Sequence, residues 1–171
     1  MINLQLFAEA VQGKKIVYLF RVLSKAATNA AAAMAFVTEN EKTKSKDADS
    51  TATKDGAIRT PGAAEIEITA TAILAKGDTL ASELEEAMDN DELLEIWEVN
   101  LAEEGTSGKF KGTYYQGYLT EISLSSSAEE HAEYSTTFSI NGNGVKGECT
   151  VSAEQQEIAQ YVFADTNKTG A

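Results

Sequence analysis

Residues 64–74 read AEIEITATAIL, and this stretch decides the fold class. One parity is apolar and consists of Ile66, Ile68, Ala70, Ala72 and Leu74. The other parity is polar and consists of Glu65, Glu67, Thr69 and Thr71. Side chains of a β-strand alternate between its two faces, so the pattern predicts a strand with one buried and one polar face.

A helix is predicted directly after this strand. Over residues 79–89, Leu80, Leu84, Ala87 and Met88 fall on one face, and Asp78 or Thr79 can cap the first turn. Near the end of the chain, Ser152 and Gln155 have the spacing of a capping box, which predicts a second, short helix.

Strand patterns recur before and after the helix, at residues 14–23, 92–101, 113–125 and 133–141. Residues 141–144 read NGNG, a hairpin-turn signal, and a further short strand is expected from Val145 to Val151. Strands and helices do not alternate regularly. We therefore predict a mainly β fold, an antiparallel β-sandwich or barrel of about six or seven strands with one flanking α-helix.

Residues 39–63 contain almost no large apolar side chain and include the only proline, which predicts a long projecting loop. Charges of both signs follow one another closely in this segment: Lys42, Lys44, Lys46, Asp47, Asp49, Lys54, Asp55 and Arg59. Interleaved charges suit contacts that fix the register of a partner. The segment is therefore either a mobile, solvated loop or a docking arm that becomes ordered on a partner.

The length of 171 residues suits one domain with a core of its own. We expect an N-terminal arm at residues 1–13, a single β domain at 14–164 and a frayed tail at 165–171. No segment has the length and apolar character of a membrane span or the layout of a secretion signal, so no membrane insertion is expected.

The formal charge of −13 is unevenly distributed. Residues 1–76 carry 10 basic and 8 acidic side chains, whereas residues 77–171 carry 4 basic and 19 acidic ones. Such an acidic chain repels phosphate, which argues against charge-driven binding of nucleic acid.

Catalytic and metal-binding patterns are weak. His131, the only histidine, lies among glutamates in an expected turn, and Cys149, the only cysteine, lies in an expected strand. Eleven acids fall between Gly77 and Gly108 without one lysine or arginine, and a solvated acidic face explains them better than a catalytic carboxylate pair. We expect no catalytic site, no metal and no cofactor.

Several stretches resemble the major tail protein of phages with long non-contractile tails, of the lactococcal and staphylococcal temperate type. They read VYLFRVLSKAAT at 17–28, TENEKTKSKDADSTATKDGAIRTPG at 38–62, GDTL at 77–80 and TVSAEQQEIAQYVFAD at 150–165. The resemblance covers most of residues 11–165, and its most specific part is KSKDADSTATKDG.

The resemblance implies a structural virion protein with a β-sandwich or barrel fold, assembled in the host cytoplasm. Its partners would be copies of itself in hexameric rings that stack into a hollow tail tube, the tape-measure protein inside the tube, and tail-tip and terminator proteins at its ends. Genomic DNA would pass through without specific binding. By the same resemblance, the segment 39–63 would reach a neighbouring subunit or ring.

Glu65, Glu67, Thr69 and Thr71 are the candidates for a face that lines such a tube, because acids on the wall would repel DNA phosphates. Two alternative functions remain open at this point. A β-sandwich binding module for a receptor or carbohydrate could use Tyr114, Tyr115 and Tyr118 as a stacking surface, and a small hydrolase could use two carboxylates. The three tyrosines straddle both parities of their strand, which suits packing better than a single aromatic platform.

Overall fold

A computed structural model of the chain describes residues 9–159, without the side chains of residues 157–159. The elements in chain order are β1 (Ile16–Val22), β2 (Val37–Thr53), β3 (Gly56–Ile73), α1 (Thr79–Asp89), β4 (Leu94–Glu104), β5 (Phe110–Ser125), β6 (Glu133–Cys149) and α2 (Ala153–Ala159). All six strands join one antiparallel sheet in the order β1-β4-β5-β6-β3-β2. The predicted mainly β fold with one long flanking helix is confirmed.

The sheet folds over on itself around its core. Phe20 on β1 stacks on Phe138 on β6, with ring centroids 4.9 Å apart. In a flat sheet these strands would be three spacings apart, or roughly 14 Å. Each ring is almost fully buried, and apolar residues of β3, β4, β5 and α1 complete the same cluster. The curled sheet therefore encloses a core as a sandwich or barrel does.

The predicted helix has the predicted bounds, Thr79–Asp89. The Asp78 side chain accepts a hydrogen bond from the amide of Leu80 at 3.0 Å, which caps the first turn. Leu80, Leu84 and Ala87 are buried against the sheet. The capping box before α2 is also confirmed, since Ser152 and Gln155 exchange hydrogen bonds of 3.0 and 3.2 Å.

The prediction of a loop over residues 39–63 was wrong. These residues form the greater part of a two-stranded antiparallel hairpin, in which β2 runs from Val37 to Thr53 and β3 returns from Gly56. Not one residue of β2 is buried, so the strand carries no hydrophobic alternation that a sequence pattern could show. Its pairing with β3 supplies the order that its own composition does not suggest.

The prediction of a hairpin turn at NGNG was also wrong. β6 continues through residues 141–144 and pairs with β5 on both sides, with Asn141 opposite Gln116 and Val145 opposite Tyr114. The intervening residues form a bulge in which Gly142 and Gly144 have positive φ. A side chain on Gly144 would run into the ring of Tyr115, so this glycine is also required by packing.

Of the predicted N-terminal arm, residues 1–8 lie outside the described residues, and the next four precede a 3-10 turn at Gly13–Lys15. The predicted tail at 165–171 lies outside them as well. The proposed domain bounds therefore stay a prediction.

Candidate assembly surfaces

Three features of the exposed surface could serve assembly. They are the far half of the β2–β3 hairpin, the polar face of the sheet, and the ion pair that fixes the base of the hairpin.

The far half of the hairpin projects beyond the rest of the sheet. β6 pairs with β3 only from Ile66 onwards, so within residues 9–159 the segment 56–65 of β3 has β2 as its sole sheet neighbour. Ten residues of strand span roughly 30 Å. Every residue from 47 to 63 is exposed. We call residues 47–63 the distal arm. An isolated two-stranded hairpin is marginally stable at best in water, so the distal arm is a segment that a partner would stabilise.

The structure divides the predicted interface residues between two places. Asp47, Asp49, Lys54, Asp55 and Arg59 lie in the distal arm. The other three residues precede the arm and lie on the face of β2 that continues the core face of β3. They are Lys42, Lys44 and Lys46, opposite Ile68, Ile66 and Ala64. Whether any of these side chains contacts a neighbouring subunit stays a prediction.

The polar face of the sheet spans β2, β3, β6 and β5. The four predicted residues of β3 lie on it, with Glu65 and Glu67 exposed and Thr69 and Thr71 half-buried. Register with the neighbouring strands adds further residues to this face: Glu39, Glu41, Thr43 and Ser45 of β2, Ser135, Thr137 and Ser139 of β6, and Tyr118, Glu121 and Ser123 of β5. We call this set the polar face. It carries five glutamates and neither lysine nor arginine.

Its acids are placed so that no two stand directly opposite each other. Glu39 and Glu41 of β2 face Thr71 and Thr69, while Glu65 and Glu67 of β3 face Ser45 and Thr43. Like charges directly across a strand pair are destabilising, and this stagger avoids that contact. The Thr71 and Ser135 hydroxyls are hydrogen-bonded at 3.0 Å, which ties β3 to β6 on the same face. The result is an acidic, hydroxyl-rich surface, and within residues 9–159 its acids do not converge as metal ligands.

Charge is segregated between the two faces of β2. Its odd positions carry Glu39 and Glu41, and its even positions carry Lys42, Lys44 and Lys46. This alternation of charge has the period of a strand. It is the sequence signal that could have identified β2, and a search for alternating hydrophobicity alone cannot find it.

The ion pair at the base of the hairpin crosses the folded sheet. Lys42 Nζ lies 2.5 Å from Glu98 Oε1 on β4, four strand positions away in the sheet order. The Tyr18 hydroxyl donates to the other oxygen of Glu98, and Lys42 Nζ also lies 3.4 Å from the Tyr115 hydroxyl. We call Lys42, Glu98 and Tyr18 the clamp. It was not predicted, because it joins residues that are far apart in sequence.

The two proton donors of the clamp, Lys42 and Tyr18, stay protonated around neutral pH. Burial acts to lower the pKa of Lys42, but the hydrogen bond and charge of Glu98 outweigh it, so the pKa of Lys42 is raised. Burial, with the hydrogen bond to Glu98, also raises the pKa of Tyr18. A raised lysine pKa contributes stability that is complete below its unfolded value of about 10.4 and is lost as the pH rises through the folded value. We expect the contribution of Lys42 and Tyr18 to be complete at neutral pH and to be lost only above about pH 10, which urea unfolding as a function of pH measures.

Replacing Lys42 should loosen the hairpin without unfolding the domain. We expect Lys42→Met to lower the free energy of unfolding by about 1 kcal/mol, because the pair is partly buried and Glu98 keeps its bond to Tyr18. Lys44→Met is the matched control, since Lys44 lies on the same face and forms no ion pair within residues 9–159. Urea unfolding followed by Trp97 fluorescence measures both. Equal effects of the two substitutions would contradict the role of the clamp.

The remaining candidates do not form a site. Tyr115 is buried, Tyr114 is half-buried and hydrogen-bonded to Glu95, and Tyr118 is exposed, so the three tyrosines do not share one stacking surface. His131 is exposed, and burial raises the pKa of Cys149. Among residues 9–159, no three histidine, cysteine or acidic side chains converge as metal ligands. No helix in the same range is both long and apolar enough to cross a membrane.

Comparison with solved structures shows which proteins share this fold. The chain superposes on the SPP1 tail tube, solved by solid-state NMR and cryo-EM, with a TM-score of 0.74 and 19% identity over 95% of both chains. It also resembles a protein in the tail of a gene transfer agent particle, refined with C6 symmetry, with a TM-score of 0.61 and 13% identity over 82% of this chain and 100% of the other. A chain of the sheath–tube complex of an extracellular contractile injection system gives a TM-score of 0.56 at 13% identity, over 87% and 99%.

Sequence comparison identifies the family. A putative tail protein of Staphylococcus phage phiMR25 is 33% identical over 144 residues, which cover 81% of this chain and 75% of that protein. The sequence profile of the phage tail tube proteins matches residues 10–146, which include all of β1 to β5 and most of β6. The chain belongs to the phage tail tube protein family.

Proposed function

We propose that this subunit forms hexameric rings, that the rings stack into a hollow tube around a tape-measure protein, and that the polar face lines the bore through which DNA leaves. The proposal gives the protein a structural role without catalysis. The proposal rests on two surfaces that occur in the same subunit. One is the projecting distal arm, which a partner would stabilise, and the other is the polar face, which carries five glutamates and no lysine or arginine.

The distal arm supports stacking of copies. Its exposed strands reach roughly 30 Å beyond the part of β3 that β6 covers, so they extend to the space of an adjacent copy. An arm that leaves one end of a subunit and binds a different surface of the next makes a heterologous contact. Such contacts close into rings or continue along an axis. The six-fold symmetry of the gene transfer agent tail, whose subunit shares this fold, favours rings of six.

Charge supports the placing of the polar face towards the bore. Acids on the wall repel DNA phosphates, and screening at physiological salt confines this repulsion to within about 8 Å of the wall. DNA then slides without being held. Lys44 and Lys46 on the opposite face of β2, and Lys54 in the arm, form no ion pair within residues 9–159 and can meet acidic surfaces of neighbouring subunits. Such contacts offset the mutual repulsion of copies that each carry −13.

The ends and contents of the tube follow from the same arrangement. A stack of identical rings leaves an unpaired arm surface at one end and an unpaired receiving surface at the other. A tail-tip complex would cover one of these and a terminator the other. The tape-measure protein would occupy the bore before DNA does, against the same hydroxyl-rich wall.

The test is electron microscopy of the purified protein at rising concentration, with a tail-tip complex added as nucleus where the protein alone stays dispersed. Rings and tubes with a continuous bore are the expected result. Solid fibres, or dispersed subunits in the presence of the nucleus, would overturn the proposal.

Reversing charge on the polar face should change what enters the bore. Glu65→Lys with Glu67→Lys should leave tube assembly intact, because both side chains are exposed on the monomer. The two substitutions lower the charge of the polar face from five negative charges to one, so small cationic gold particles should line the bore of unaltered tubes and bind much more weakly in the variant. Glu85→Lys with Asp89→Lys, the same change of charge on exposed positions of α1, is the control and should leave the gold inside. Equal amounts of gold in the bores of unaltered tubes and of the Glu65/Glu67 variant would contradict this assignment of the wall.

A further inference from the structure

A patch of exposed apolar side chains lies at the end of the sheet opposite the distal arm. It consists of Phe36, Val37, Leu74 and Leu124, with 65%, 38%, 41% and 63% of their surface exposed. Val37 and Leu124 lie at the two ends of one cross-strand row, with buried Ala72 and Tyr134 between them. The patch therefore continues the core outwards at this end of the fold. We call these four residues the rim patch.

Backbone hydrogen bonds hold Phe36 and Leu74 at the same end of the sheet as Val37 and Leu124. The Phe36 carbonyl accepts from the amide of Ile73 at 3.1 Å, and the amide of Leu74 donates to the carbonyl of Ala132 at 2.8 Å. These bonds join the start of β2 and the end of β3 to the connection that leads into β6. The backbone that carries the rim patch is therefore hydrogen-bonded to the ends of the strands.

The backbone at Phe36 is unfavourable for the residue it carries. Phe36 has φ 50°, a left-handed conformation that costs a bulky side chain energy and that glycine adopts freely. The ring is also mostly exposed, so the subunit gains little burial in return. Backbone strain of this kind often clusters at functional sites, and an exposed aromatic ring offers a large apolar area for a contact.

The distal arm of another copy fits this patch in position. The rim patch lies at the start of β2 and the end of β3, and the arm lies at the far end of the same two strands. When copies follow one another head to tail, the arm of one arrives at the rim of the next. The contact is heterologous and leaves the arm of the second copy free to continue the stack.

The side chains of the distal arm also complement those of the rim patch. Ile58 is its one large apolar side chain and is 59% exposed. The basic side chains Lys54 and Arg59 form no ion pair within residues 9–159. Beside the rim patch, the connection from β5 to β6 carries Glu129 and Glu130, and β6 begins at Glu133. The nearby end of β3 is followed by one base, Lys76. The arm holds two bases and three acids, so its net charge of −1 adds little repulsion to this contact.

We propose that the rim patch is the docking site for the distal arm of a second copy, with Ile58 placed against Phe36 and the arm bases beside Glu129, Glu130 and Glu133. The assignment rests on the proposed tube and names the surface that receives the arm. The receiving surface is apolar at its centre and acidic at its edge, as specific interfaces commonly are.

Photo-crosslinking locates the occupant directly. A photo-reactive phenylalanine analogue at position 124 of assembled tubes should form crosslinks to peptides from residues 47–59. Mixed isotope-labelled and unlabelled copies show whether the bond joins two chains. Crosslinks within one chain, to residues 160–171, or between two rim patches would overturn the assignment while leaving the tube itself in place. Failure to form tubes at all would instead count against the proposed function.

Phe36→Gly separates docking from folding. The substitution relieves the strained backbone, so we expect the melting temperature to stay within a few degrees of the unaltered protein. The subunit concentration needed for tube formation should rise by about tenfold or more, because a central aromatic contact is lost. Ser107→Gly is the matched control, since Ser107 has φ 55°, is exposed and lies at the opposite end of the sheet. Equal assembly by both variants would contradict the proposal.

Discussion

Removing the distal arm should abolish tube assembly and leave a folded monomer. The variant replaces residues 47–63 by Asn-Gly, which joins Lys46 to Ala64, its partner across the hairpin, through a two-residue turn. Every replaced residue is exposed, and β6 pairs with β3 only beyond this region. The free energy of unfolding should therefore change by less than about 1 kcal/mol, whereas the arm contact is lost from every subunit of the tube.

Two measurements check this result. Thermal melting with near-ultraviolet circular dichroism reports the fold, and sedimentation velocity with electron microscopy reports assembly. The control keeps the arm at full length and replaces Lys54 and Arg59 by glutamate, which should weaken assembly without abolishing it. The cut begins after Lys46 so that the clamp at Lys42 stays intact. Tubes of normal width and length from the truncated chain would show that the arm has no part in assembly.

Phe138→Ala should be the most damaging single substitution in the core. Phe138 is fully buried and stacks on Phe20 across the folded sheet. Truncating a buried phenylalanine to alanine costs about 3–5 kcal/mol, a large share of the roughly 5–15 kcal/mol that stabilise a domain. Ser139→Ala changes the next residue, which points to the polar face and is exposed, and should cost under about 0.5 kcal/mol.

Urea unfolding measures this difference, with Trp97 as the single fluorescent tryptophan of the chain. Trp97 lies on β4 and packs on Tyr114, so it reports the sheet as a whole. A loss below about 1 kcal/mol for Phe138→Ala would mean that the contact between β1 and β6 does not close the core.

The parts of the fold that could be predicted are those fixed by local pattern. The alternation of Ile66 and Ile68 with Glu65 and Glu67 needs only the period of a strand and one buried face, and both faces are where that pattern puts them. The helix from Thr79 to Asp89 is equally local, because its cap and its apolar stripe lie within one short segment.

The parts that were missed depend on pairing over long distances. β2 has no buried residue, so its strand character comes from β3 and from charges that alternate between its faces. Gly142 and Gly144 suit a turn or a bulge equally well. They form a bulge because β5 is long enough to pair with β6 on both sides of them. The clamp and the rim patch each bring together residues from three or more segments, and no local pattern contains that information.

The candidate site shows the same division. Glu65, Glu67, Thr69 and Thr71 could be assigned to one face from the sequence. The extension of that face by Glu39, Glu41 and Glu121 required the register of β2 and β5. Of the basic residues predicted for the interface, Lys42 proved to hold the hairpin base to β4, because the sheet folds over far enough to bring Glu98 within reach.

A cryo-EM reconstruction of assembled tubes tests the central claim most directly. The measurement is the position of the polar face relative to the tube axis. We predict rings of six with an open bore, with Glu65 and Glu67 on the wall of the bore and α1 on the outer surface. A bore lined by α1 or by the lysine-bearing face of β2, or an assembly without a bore, would contradict the account.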